Sequence, residues 1–156
     1  MIQRVQSVYL LLVTILMSFL LVQPYAELKL TDGQTLAFRS SKIVYNAGSE
    51  KPAAYRITIE VVLLAMITGL LSFVNIFLFS RRVIQLRICL LNTLLMVLLL
   101  IIMLIHYISA RHALDTSHHA FRLAGIFPVA ALVINALAYR NIQKDELIVN
   151  SYNRIR

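Results

Sequence analysis

The sequence predicts an all-α membrane protein, a four-helix transmembrane bundle with both termini in the cytoplasm and a small extracytoplasmic β-rich cap in the first loop. Three observations predict it. The 156 residues are 60% hydrophobic and 14% charged, with a mean hydropathy of +0.79, against about 45–50% apolar and about 25% charged in soluble domains. The apolar residues fall into four runs close to the ~20 residues that a helix needs to cross hydrocarbon. Arg and Lys collect at the ends of those runs, where they set orientation. A soluble domain this small keeps too much surface wet to bury so many apolar side chains.

The first run covers residues 7–23 and stops before Pro24. Its PYAE end lacks the small-x-small pattern of a signal-peptidase site, so it reads as a retained span. The second, residues 57–79, carries Glu60, Thr68, Gly69, Ser72 and Asn75. The third, residues 88–108, is the most lipid-like, with LLMVLLLIIMLI free of polar side chains. The fourth, residues 123–139, is short and holds Pro128 within its first two turns, where a missing N–H costs little. All four belong to one membrane domain spanning residues 1–156. Between the first two spans, residues 24–55 alternate apolar and polar side chains in ELKL, TLAFR and SKIVY, predicting two or three short antiparallel strands. Residues 109–122 form a polar, His-rich loop on the same side.

Orientation follows from basic density in short connections. Arg4, Arg81, Arg82, Arg87, Arg140, Lys144, Arg154 and Arg156 lie on one side, and the opposite loops dilute their cations with Glu27, Asp32, Glu50 and Asp115. The termini and the tail, residues 140–156, are therefore expected in the cytoplasm. The net charge of +8 reads as contact with lipid head groups and not with nucleic acid.

The opening MIQRVQSVYLLL and the closing LAYRNIQKDELIVNSYNRIR are similar to those of the Bacteroidota membrane family known as domain of unknown function 4293. The resemblance extends over the whole chain in length and segment order. It implies an inner-membrane protein of a Gram-negative bacterium and brings no activity or active site. The general plan is also similar to that of claudin-like proteins, but the chain has no Trp and a single Cys, so a junction-forming role does not follow.

The candidate residues are few. Asn75, Asn92 and Asn135 stand five or six residues from Arg81, Arg87 and Arg140, which places them at one depth, about 8 Å inside the boundary. They are expected to hydrogen-bond between helices, or else to hold an ion or a partner helix. Arg56 and Glu60, four residues apart, suit an ion pair on one helix face at the outer interface. Ile148, Tyr152 and Ile155 form a narrow apolar stripe in the tail, fit for a partner or the membrane surface. His112, Asp115 and His119 would share a face were their segment helical, yet no further ligand joins them, and neither metal nor cofactor is expected. Ser117 lacks a nucleophile elbow, and the internal KDEL at Lys144–Leu147 is no retention signal, since that works only at a C-terminus.

The functional expectation is a non-catalytic accessory subunit of a larger bacterial inner-membrane complex, serving protein export or envelope assembly. Its expected partners are the lipid bilayer and other membrane subunits, with no small-molecule substrate identified. The alternative is a small ion or solute transporter using Glu60 and the asparagine layer.

Overall fold

The computed structural model describes residues 3–30, 35–45, 53–113 and 116–154. In chain order the elements are α1 (Gln3–Val22), β1 (Ala26–Leu30), β2 (Thr35–Phe38), β3 (Lys42–Tyr45), β4 (Ala53–Ile57), α2 (Ile59–Phe77), α3 (Arg82–Ala113), β5 (Thr116–Phe121) and α4 (Phe127–Arg154). Short 3₁₀ turns at Leu78–Ser80 and Leu123–Ile126 lead into α3 and α4.

The helices expose large apolar side chains all along their outer faces, and α2 turns a mostly small or polar face inward. On α2 the buried residues are Val61, Ala65, Thr68, Gly69, Ser72 and Asn75, while Leu63, Met66, Leu70, Phe73 and Phe77 are exposed. Small side chains let helix backbones approach where no hydrophobic drive operates between them. A Cβ added at Gly69 would stand 3.4 Å from the Cβ of Met17 on α1, so the two helices approach closely here and leave room for a methyl group but for little more. The third helix exposes Leu90, Leu94, Leu104 and Ile105 in the same way. Four stretches, Val5–Val22, Ile59–Phe77, Arg82–His112 and Leu123–Leu147, are long and apolar enough to cross a membrane. Together with the apolar exterior, they mark a membrane protein.

The strands form one antiparallel sheet in the order β4-β3-β2-β1-β5. Expectation and structure differ here. Two or three strands were expected in the first loop, and residues 109–122 were expected to be a loop. The first connection supplies four strands instead, and the second supplies β5, which pairs with β1 from Ala26↔Phe121 to Leu30↔Thr116. The physical reason is the free edge of β1, whose unpaired backbone groups are satisfied by a segment 90 residues away in the chain. The other limits also move. Ile57 ends β4 and is no part of span two; α3 begins at Arg82, so most of the basic turn is helical and Ser109–Ala113 continue the helix. The tail is helical as far as Arg154, in one piece with span four.

The sheet is fastened to the helix ends. Tyr25 N donates to Phe38 O at 2.9 Å, and Thr58, just before α2, sends its hydroxyl to Ser40 O at 2.8 Å. The Ser40 hydroxyl donates to Leu20 O, one of the carbonyls that the end of α1 leaves without a helical partner. Tyr25, Phe38 and Tyr107 stack in series, with ring centroids 5.8 Å apart at each step, joining the sheet to α3.

Candidate functional site

Two polar levels interrupt the apolar interior. At the sheet end, Glu60 opens α2 and His106 lies near the end of α3. His106 Nε2 is 2.6 Å from Glu60 Oε1. The imidazole is buried, at 5% exposure, while the carboxylate side chain is 44% exposed. His106 Nδ1 and the hydroxyl of Tyr25 are buried without a hydrogen-bond partner among the described residues. Burial holds the Tyr25 phenol protonated far above its ordinary range, and the negative charge of Glu60 adds to the effect. With its ring proton on Nε2, His106 donates to the Glu60 carboxylate and holds it against the end of α3.

The second level lies about 21 Å further along α3, fourteen residues at 1.5 Å each. Asn92 donates to Ser72 Oγ at 2.7 Å, and Asn75 donates to Cys89 Sγ at 3.1 Å and Gln85 O at 3.3 Å. Gln85 returns a bond to Asn75 O at 3.2 Å. Asn135 donates to Cys89 O and Thr93 Oγ1, both at 2.9 Å. All three asparagines are at most 1% exposed, and the carbonyl oxygen of each side chain has no partner among the described residues. The layer therefore joins α2, α3 and α4 by amide N–H groups, each such bond worth about 0.6 kcal/mol on average in a membrane.

Between the levels the interior is filled by Val13, Met17, Ala65, Met96, Leu99, Met103 and Ala131. Thr68, the polar side chain at this height on α2, bonds back to Leu64 O and Ala65 O of its own helix. At the terminal end of the bundle, Gln6 Nε2 donates to the buried Asp145 carboxylate, and Arg82 Nη1 donates to Asp145 O at 3.1 Å. This clamp ties the start of α1, the start of α3 and the far part of α4 together.

Two helical faces that the spacing suggested are not formed. Arg56 is in β4 opposite Ile43, and α2 starts only at Ile59, so Arg56 and Glu60 do not share a helix face. The side chain that meets Glu60 is His106. His112 is exposed at the end of α3, whereas His119 is in β5 opposite Leu28. Because His119 is in a strand and His112 in a helix, no one helical face carries both. Among the described residues no group of three metal-binding side chains occurs. Arg81, Arg87 and Arg140 are exposed. Asp115, Ile155 and Arg156 lie outside the described residues, as do the side chains of Arg4, Ile148, Tyr152, Arg154 and His119.

The His106–Glu60 contact was missed although a signal existed. Glu60 is 21 residues before Arg81 and His106 is 19 after Arg87, which puts both about 30 Å from the same boundary. The Arg122–Glu27 ion pair, 2.7 Å, had no such signal, because it depends on β5 folding back beside β1.

A family model described as Domain of unknown function (DUF4293) matches residues 2–155. No curated protein matches the chain. A match that leaves out only the first and last residues shows that the chain belongs to the DUF4293 family.

Proposed function

We propose that this protein is a non-catalytic accessory subunit of a larger complex in a bacterial inner membrane, with both termini in the cytoplasm, and that the complex serves protein export or envelope assembly. The observation that carries the reading is α4. It runs unbroken for 28 residues, about 42 Å, against a hydrocarbon core of about 30 Å. Its far part is fixed by the Asp145 clamp to α1 and α3, so whatever binds the last turns feels a rigid arm and not a loose tail. The packed apolar stretch between the two polar levels also supports a scaffolding role.

The test is native purification in mild detergent with photo-crosslinkers at residues 148–154 and in the sheet. A partner captured from the tail, and lost when the chain is cut after Leu147, is the expected result. A monomer with no crosslinked partner from either surface would sink the idea. The second reading, a small ion or solute transporter built on Glu60 and the asparagine layer, is favoured by one observation, the partly exposed carboxylate in contact with buried His106. It requires proteoliposome flux that falls with Glu60→Gln, and unchanged flux removes it.

A further inference from the structure

Where α1 leaves the membrane-spanning stretch and α4 enters it, the two helices enclose a groove of about 280 Å³. The share of one water in the liquid is about 30 Å³, so this space admits a length of acyl chain and not a whole lipid. Its floor is Phe19, Leu123 and Phe127, the two rings standing 6.3 Å apart. Its rim is Gln23 and Arg122. The spans end at Val22 and begin at Leu123, so the floor is at acyl-chain level and the rim is at head-group level.

Arg122 is held in place. Its backbone N donates to Tyr25 O at 3.2 Å, and its Nη2 donates to Glu27 Oε2 at 2.7 Å. A guanidinium has five N–H donors and a carboxylate about four acceptor positions, so one bond leaves both groups able to take a ligand. The Arg122 side chain is 56% exposed. Arg122 lines the mouth of the apolar groove and Glu27 stands beside it on β1, just outside the lining, so the pair is complementary to a head group that carries a phosphate and a primary ammonium. A choline head group has no N–H to give Glu27, and a glycerol head group offers it only neutral hydroxyls, a weaker bond than the charge-assisted one from an ammonium. The larger groove between α1 and α2, about 440 Å³ around Gly69, has Leu63, Leu70 and Phe73 in its walls and no charged residue, so it offers nothing to tell one head group from another.

We propose that the α1–α4 groove binds one phosphatidylethanolamine molecule. Its phosphate accepts from Arg122, its ammonium donates to Glu27, and the start of one acyl chain lies along Phe19 and Phe127. The site is independent of the accessory-subunit reading.

The test is native mass spectrometry of the full chain in mild detergent with equimolar phosphatidylethanolamine, phosphatidylcholine and phosphatidylglycerol of identical acyl chains. The expected result is retention of one ethanolamine lipid roughly tenfold better than the other two, the scale of a charge-assisted hydrogen bond. Glu27→Gln is expected to bring ethanolamine retention down to the choline level. Because the pair also ties β1 to the entry of α4, the exchanged double variant Glu27→Arg with Arg122→Glu separates binding from folding. It keeps an ion pair and the thermal stability, and loses the preference. Equal retention of the three lipids by the wild-type chain, or an ethanolamine preference that survives Glu27→Gln, overturns the proposal. So does a lipid-free dimer, which would mean that a helix of a second copy fills the groove.

Discussion

At the scale of single residues, the unusual features are buried polar atoms. Asn135 makes two donor bonds but leaves its carbonyl unpaired, so its amide gains less than a fully bonded one. Asn135→Ala should cost about 1 kcal/mol, within the range up to about 1.7 kcal/mol measured for such bonds, as read by unfolding in bicelles. Tyr25 gives a pH prediction of definite sign. Its folded-state ionisation is pushed above that of the unfolded chain, which loses its phenol proton near pH 10. The stability that Tyr25 contributes is therefore fully present below about pH 10 and is lost as pH rises towards the folded value. Ultraviolet titration should show this tyrosine silent around pH 10 in the folded protein and titrating once it is unfolded, and Tyr25→Phe should remove that difference. That Asn75, Asn92 and Asn135 share one level of the bundle was legible in the sequence, since Arg spacing converts to relative height along a helix. Which bonds they make was not, because Ser72, Gln85 and Cys89 take part only at one rotation of each helix.

At the scale of elements, helices were far more legible than strands. A span announces itself by a run of about 17–23 mostly apolar residues, and all four runs produced helices. Their ends were less legible. The Val83, Ile84 and Leu86 side chains extend α3 through a stretch that charge alone marked as a turn. The strand β5, TSHHAF, has no apolar alternation to betray it and exists because β1 offers an edge. Packing between α1 and α2 yields a graded prediction at Gly69. Gly69→Ala places a methyl at an ordinary 3.4 Å contact with Met17 and gains up to about 1 kcal/mol of helix propensity. Gly69→Leu overfills the same space and should cost about 1–3 kcal/mol. Thermal unfolding of the two variants should move in opposite directions. Equal shifts would mean that the helices part freely at this point.

At the scale of the whole molecule, the sheet and the Asp145 clamp close opposite ends of the bundle. Cys89 between them is buried and should resist maleimide in intact membranes, which makes the natural chain a usable background for labelling. A cysteine placed at Lys42 and one placed at Lys144 should then react from opposite faces of the membrane; reaction from a single face would contradict the four-span plan. The pairing of β1 with β5 has a further consequence, for biosynthesis. When the ribosome has delivered only the first connection, β1 is the open margin of an unfinished sheet, and its mate, Thr116–Phe121, has yet to be made. Closure therefore waits until the third helix is threaded, and loop-closure entropy over some ninety residues makes it a late step. Until then the nascent chain carries an adhesive margin, the stage at which a chaperone or a mistaken partner would find it.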